Sequence, residues 1–225
     1  MGGNEVFVEA GGREIRISSA DKVMFPEQGW TKFDVVEHFL MCAPGALRGV
    51  YNRPSLLKRW NRGVAEKPLF VKRPKNASNL VDVRFPSARP GRMFAPLDEA
   101  DVIWMAQMKC IDLNPWNARA DDIERPDELR IDLDPTDDYD FEAAREVAAT
   151  VKEVLDELGL IGWPKTSGNR GIHIYTRVER SWDYFQLRRA GLAIAREVER
   201  RHELATTAWW KEERDGVFLD FNQNA

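Results

Sequence analysis

The sequence predicts an α+β fold in which mixed or antiparallel sheets are flanked by helices. Three observations predict it. Short strands with apolar alternation recur along the chain, helix-period stretches interrupt them at irregular intervals, and regular strand–helix–strand alternation is missing.

Taken in order, residues 4–19 alternate apolar and polar (Val6, Val8, Ile15, Ile17) around Gly11-Gly12, which predicts a β-hairpin. Ser19 or Asp21 is then expected to cap a short helical turn, broken by Pro26 and Gly29. Thr31 caps an amphipathic helix to Ala46, with Val35, Val36, Phe39 and Leu40 on one face. Strands are expected at Ser55–Trp60, Leu69–Lys72 and Leu80–Phe85, a helix at Glu99–Met108 and a strand at Ile111–Leu113. A polar connection over 114–128 leads to a strand at Leu129–Leu133 and a long helix at Phe141–Leu158. Strands at Gly162–Lys165 and Ile172–Val178 flank a Gly-rich turn, and a helix over Asp183–Arg201 precedes a last strand at Gly216–Phe221.

With 225 residues and 43% hydrophobic content, the chain suits one large domain or two packed lobes. No apolar run approaches the roughly 18 residues that cross a bilayer, and the start lacks the layout of a secretory signal. Cys42 and Cys110 are far apart and lack metal-ligand spacing. These features predict a cytoplasmic, reducing location without a membrane partner. The net charge of −4 hides an asymmetry: residues 48–92 carry twelve Lys/Arg against two acids, and residues 93–158 carry nineteen acids against six bases. Such a split fits a phosphate-binding surface beside an acidic, metal-binding one, and equally two solvated faces of opposite sign.

Chemistry concentrates in three segments. In Arg130-Ile131-Asp132-Leu133-Asp134-Pro135, a strand points both carboxylates to one side and Ile131 and Leu133 to the other. Paired carboxylates repel unless a cation lies between them, and hard divalent ions favour such oxygens; a strand with a solvated polar face has the same pattern. In the stretch from Lys165 to His173, two glycines free a tight turn around which Lys165, Ser167, Asn169, Arg170 and His173 gather donors. That combination suits a phosphate, or simply a polar hairpin tip. In Val217-Phe218-Leu219-Asp220-Phe221, an acid stands in an apolar strand, where it is either paired with an arginine or the third carboxylate of the Asp132/Asp134 site. The bases and aromatics of Lys58-Arg59-Trp60 and Phe70-Val71-Lys72-Arg73 suit nucleic acid, and Lys22 and Lys32 add positive charge.

In order and spacing, Asp132-Leu133-Asp134, Ser167 to His173 and Leu219-Asp220 resemble the three motifs of the archaeo-eukaryotic primase superfamily. Asp112-Leu113-Asn114-Pro115-Trp116, Pro126 to Pro135 and Trp209-Trp210-Lys211-Glu212-Glu213-Arg214 look more closely like the polymerase domain of bacterial DNA ligase D and its stand-alone actinobacterial relatives. The resemblance implies one primase-polymerase type catalytic domain over 1–225, with a basic lobe over about 1–95 and a metal-binding catalytic lobe over about 96–225. It implies that Asp132, Asp134 and Asp220 hold two manganese or magnesium ions. Lys58, Asn114, Ser167, Arg170, Gly171, His173, Lys211 and Gln223 would then meet the nucleotide, and Lys22, Lys32, Arg59, Phe70 and Lys72 the DNA. Lys22 and Lys32 match lysines that grip a downstream 5′-phosphate. The implied function is extension of primer 3′ ends at gaps or breaks in DNA repair by non-homologous end joining. Ribonucleotides would be preferred, a DNA ligase or end-binding protein would act in trans, and the enzyme would sit at the nucleoid.

Three departures from the resembled pattern stand out. Leu69 replaces the first of two stacking aromatics, Asn114 stands where a histidine is usual, and the chain stops at Asn224-Ala225 where relatives run on to a further basic triphosphate contact. Either the sequence is a shortened form, or that part of the active site is missing. Two other readings compete. A metal-dependent nuclease would use the same carboxylates but has no β,γ-phosphates for the loop from Ser167 to His173, and a non-catalytic DNA-end binder would keep the acids as structure.

Overall fold

A computed structural model of the chain describes residues 4–75, 77–85 and 88–224. It divides into two compact units, Met1–Asp121 and Asp122–Ala225. Residues 96–121, expected to belong with the acidic lobe, pack in the first unit.

In the first unit, β1 (Glu5–Ala10) and β2 (Arg13–Ser18) form the expected hairpin. The short helical turn expected after it is instead a second hairpin, β3 (Val23–Phe25) and β4 (Trp30–Thr31). Pro26 and Gly29, at φ +71°, serve as its turn, and Phe25 meets Trp30 edge-on. Helix α1 (Lys32–Val50) starts at Thr31 through a capping box with Asp34. It runs past Ala46 and through Pro44, because buried Ala43 and Val50 anchor its last turns in the core. Strands β5 (Ser55–Arg59), β6 (Leu69–Val71), β7 (Leu80–Phe85) and β8 (Ala88–Phe94) make an antiparallel sheet in the order β6-β5-β8-β7. Strand β8, Ala-Arg-Pro-Gly-Arg-Met-Phe, carries no strand signal and forms by pairing with β7. Helix α2 (Glu99–Gln107) is capped by Asp98. The strand expected at Ile111–Leu113 lies further on, at β9 (Asn114–Pro115), which pairs with β5 while Ile111 and Leu113 pack against the core.

The second unit is simpler. Strand β10 (Glu128–Pro135) lies in the middle of a five-stranded sheet with β11 (Gly162–Thr166), β12 (Ile172–Arg177), β13 (Ala205–Thr206) and β14 (Val217–Asp220), ordered β11-β12-β10-β14-β13. Only β13 runs parallel to its neighbour. Helices α3 (Phe141–Glu157, capped by Asp140) and α4 (Tyr184–Arg201, capped by Asp183 with Gln186) cover one face. There, Leu129, Ile131, Leu133, Ile172, Ile174 and Leu219 meet Val147, Val151, Leu155, Leu187, Ile194 and Val198. Each fully buried aliphatic side chain contributes about 1.5–3 kcal/mol, so the alternation fixes which way every β10 side chain points. The other face carries the charged and polar residues together with the aromatic rings of Trp163, Tyr175 and Phe218.

Gly216 holds the start of β14. Its φ is +98°, and a Cβ there would come 2.1 Å from the Leu204 carbonyl oxygen, which accepts from Val217 N at 2.6 Å. Gly216→Ala is therefore expected to cost about 3 kcal/mol of stability, read as a drop in the urea midpoint. A midpoint unchanged from the parent would refute this account of the turn.

Candidate active site

The carboxylates gather because of register. Asp132 is the direct cross-strand partner of Asp220 on β14 and of His173 on β12, and His173 is the partner of Lys165 on β11. Lys165, His173, Asp132 and Asp220 thus make one row across four strands, all on the face away from the helices. Asp134, two residues along β10, lies beside Phe218 on the same face.

Burial and like charge perturb this row. The Asp132 side chain is 14% exposed, and its Oδ1 has no hydrogen-bond partner among the described residues. Burial, then the charges of Asp134 and Asp220, push its pKa up to about 7. Asp134 is raised as well, by burial and by Asp220, with Arg214 opposing. His173 is pushed down to about 4 by burial, then by Lys165 and Arg130, so it is neutral at pH 7. Its Nε2 lies 3.3 Å from Asp132 Oδ1 as a neutral contact rather than an ion pair. Gln223 Nε2 sits 3.5 Å from Asp132 Oδ2 and 3.4 Å from Asp220 Oδ2, and the Asn222 amide donates to Asp220 Oδ1 at 2.8 Å.

Among the described residues, no three His, Cys, Asp or Glu side chains close into a finished ligand set. The chemistry of the three carboxylates nevertheless fits a hard divalent cation. They offer oxygens only, one buried oxygen is unpartnered, and the charges of Asp134 and Asp220 raise the cost of ionising Asp132.

Beyond Asp134 opens a cleft of about 390 Å³, bounded by the loop after β11 and the segment before β14. Ser167 Oγ accepts from the Asn169 amide at 3.2 Å and the Gly171 amide at 3.1 Å, and Gly168 has φ +90°. A Cβ on Gly171 would sit 2.5 Å from the Leu133 carbonyl oxygen and 3.4 Å from Asp134 Oδ1. Glycine is therefore what lets the loop lie directly against the acid-bearing strand. Arg170 donates to the carbonyls of Thr136 and Tyr139 and to Asp137 Oδ1 at 3.0 Å. Lys211 and Arg214 line the opposite side; Arg214 is stacked 3.4 Å from the Phe218 ring centre and donates to the carbonyls of Ala208 and Trp209. The cleft therefore mixes cations with Asp134, Asp137 and Asp138, a lining suited to an anion that brings its own cation.

The remaining sequence-predicted residues lie in the first unit. Lys58 Nζ is 2.6 Å from Asp112 Oδ2 and 5.2 Å from the Trp60 ring centre, and Asn114 Nδ2 donates to the Asp112 carbonyl at 3.3 Å. Phe70 is 56% exposed and is the cross-strand partner of Lys58, while Lys72 lies over Phe85. Lys32 is 2% exposed, donates to the Ser18 carbonyl at 2.5 Å and has its pKa lowered to about 8 by burial, then by Lys109, Lys22 and Arg59. Lys22 donates to the Asn61 carbonyl and Arg59 to the Met108 carbonyl. Sequence reasoning missed two cations. Arg214 meets Asp134 only through the fold, and Lys109 joins the Lys32 cluster through a backbone at φ +65° that the sequence does not signal.

The family model described as "LigD, primase-polymerase domain" matches residues 31–225. The chain belongs to this family. It is thereby a nucleotidyltransferase of the primase-polymerase type. It is 28% identical over 230 residues to the multifunctional non-homologous end joining DNA repair protein LigD of Mycobacterium tuberculosis, covering 95% of this chain and 30% of that protein. It is 26% identical to the bifunctional LigD of Bacillus subtilis, over 94% of this chain and 35% of that protein. The chain thus spans about a third of the curated relatives it matches. A solved structure of the polymerase domain of M. tuberculosis ligase D in complex with DNA superposes with a TM-score of 0.85 at 25% identity, covering 93% of this chain and 78% of that one.

The perturbed Asp132 gives a test that needs no substrate. A carboxyl raised from 3.8 to about 7 leaves the fold most stable when protonated, and that stability is lost as pH rises from about 4 to about 7. In metal-free buffer, Asp132→Asn should therefore stabilise the protein at pH 8 by on the order of 2 kcal/mol. The gain should shrink as the pH is lowered toward 4. Thermal melts across pH measure it, and equal melting temperatures at pH 8 would contradict the reading.

Proposed function

We propose that this chain is a template-directed polymerase that extends primer 3′ ends at gaps or broken ends during DNA repair. Asp132, Asp134 and Asp220 would hold two divalent cations, manganese or magnesium. Bound there, such ions lower the pKa of an attacking hydroxyl and neutralise charge at the phosphates. The observation that carries the reading is the contact of acids and anion loop. Gly171 seats the Ser167–Gly171 turn against Leu133 and Asp134, so a triphosphate held by the loop has its α-phosphate end toward the carboxylates.

The roles of the chain's own groups follow from their chemistry. The Ser167 turn, Arg170 and Lys211 bind the β- and γ-phosphates, and Arg214 balances Asp134. Neutral His173 contacts Asp132 without adding charge, and Gln223 orients Asp132 and Asp220. Lys58 and Asn114 would contact the nucleotide, and Arg59, Phe70 and Lys72 the DNA. Lys22 and Lys32 would receive a downstream 5′-phosphate, since their cluster with Arg59 and Lys109 gathers cations around a buried ammonium. The preference for ribonucleotides and a ligase or end-binding partner in trans rest on the family resemblance. A nuclease has no use for the Ser167–Gly171 cleft, and an end binder has no use for a raised Asp132.

Primer extension on a 5′-phosphorylated gapped duplex tests this. Comparing rNTPs with dNTPs in manganese and magnesium, the parent is expected to extend. Asp132→Ala should lose at least about a thousandfold in rate while retaining DNA binding in a gel shift. Shortened primer instead of a nucleotide-dependent ladder would favour the nuclease.

The lysine pair makes a separate prediction about pH. Lys32 is charged below about 8 and neutral above it, so preference for a 5′-phosphate over a 5′-hydroxyl should fall as pH rises from 7 to 9. Lys22→Ala should weaken that preference by about tenfold at pH 7. Competition binding with the two duplexes reads both effects, and a pH-independent preference would remove Lys32 from the site.

A further inference from the structure

The polar face of the second unit's sheet carries another row beside the acids. Trp163 on β11 is the cross-strand partner of Tyr175 on β12, and Tyr175 of Arg130 on β10. This row lies two residues before Asp132 along β10, about 7 Å away. The Arg130 guanidinium lies 5.4 Å from the Tyr175 ring centre and is bound to Glu128 at 2.9 Å. The Tyr175 hydroxyl lies 3.3 Å from His173 Nδ1. Tyr175 is thus held against the sheet, and next to it Trp163, on the sheet's edge strand, is 61% exposed.

A single exposed aromatic is ordinary, but the position of this one relative to the cleft is not arbitrary. The triphosphate cleft opens on the Asp134 and Phe218 side of Asp132, and the Trp163 row lies on the other side. Displacement at phosphorus places the attacking and leaving oxygens roughly in line, on opposite sides. With the β- and γ-phosphates in the cleft, the primer's 3′-hydroxyl must arrive from the side of Trp163, Tyr175 and Arg130. Flat rings on a sheet face suit a nucleobase of any identity, because every base offers a π-face.

We propose that Trp163, backed by Tyr175, is the stacking platform for the 3′-terminal nucleotide of the primer strand. This assignment rests on the polymerase reading above, since that reading puts the leaving phosphates in the cleft. A base held on Trp163 fixes the sugar beside the acids, so the platform positions the nucleophile without taking part in the chemistry. The sequence of the primer end would matter little.

The test uses the full chain and a primer–template duplex with 2-aminopurine as the primer's 3′-terminal base. Binding without metal is expected to quench this probe more than the same probe at the primer's 5′ end. Trp163→Ala should lose the difference and Trp163→Phe should keep most of it; the side chain is exposed on an edge strand, so both variants should fold. In extension assays, Trp163→Ala should raise KM for primer by about tenfold and leave KM for the nucleotide within about twofold. Unchanged quenching in Trp163→Ala overturns the platform, as does a rise confined to the nucleotide KM, which would assign the ring to the incoming base. Terminal quenching that depends on Trp163, in a chain that extends no primer with either metal, would uphold the platform as a strand-end site and refute the polymerase reading instead.

Discussion

The register of β10 between β12 and β14 is the constraint on which the second unit depends. Because Asp132 faces both His173 and Asp220, one antiparallel alignment brings together residues far apart in the chain. The same alignment turns Ile131, Leu133, Ile174 and Leu219 into the core under α3 and α4. A slip of one residue would send the carboxylates into that core and the aliphatics into water. Apolar burial therefore holds the acids in place, and it does so against their mutual repulsion.

That repulsion is the functional cost built into the fold. Asp132 is desolvated and surrounded by like charge, and nothing among the described residues satisfies its Oδ1. A proton relieves such a carboxyl, and a hard cation of the kind proposed above would relieve it as well. The neutral His173 fits this picture, since a charged imidazole would compete for the same carboxylate.

The cleft beyond Asp134 is organised by backbone rather than by charge. Ser167 draws the amides of Asn169 and Gly171 inward, and the missing side chain at Gly171 lets the turn rest on β10. Arg170 ties the loop to the residues after β10. In the first unit the corresponding organising feature is a lysine buried among other cations, a costly arrangement that an anion would offset.

Much of this was legible in the sequence. Period-2 and period-3.6 patterns located the helices over 141–158 and 183–201 and the strands bearing Asp132, His173 and Asp220, because burial on one face imposes those periods locally. The two-carboxylate strand and the glycine turn were readable for the same reason, since each works through neighbours in the chain. Strand β8 was invisible because its Pro, Gly and Arg residues form a strand only when β7 supplies the partner. The 20–31 segment became a hairpin for a similar reason, with Val23 and Phe25 satisfied across the turn by Thr31 and Trp30. The sequence left Asp220 open between an arginine partner and the Asp132/Asp134 site, and strand register decided it; the juxtaposition of Arg214 with Asp134 and Lys109 at the buried Lys32 were decided by the tertiary structure alone. Strand register and charge proximity are properties of segments distant in sequence, and only their packing fixes which residues meet.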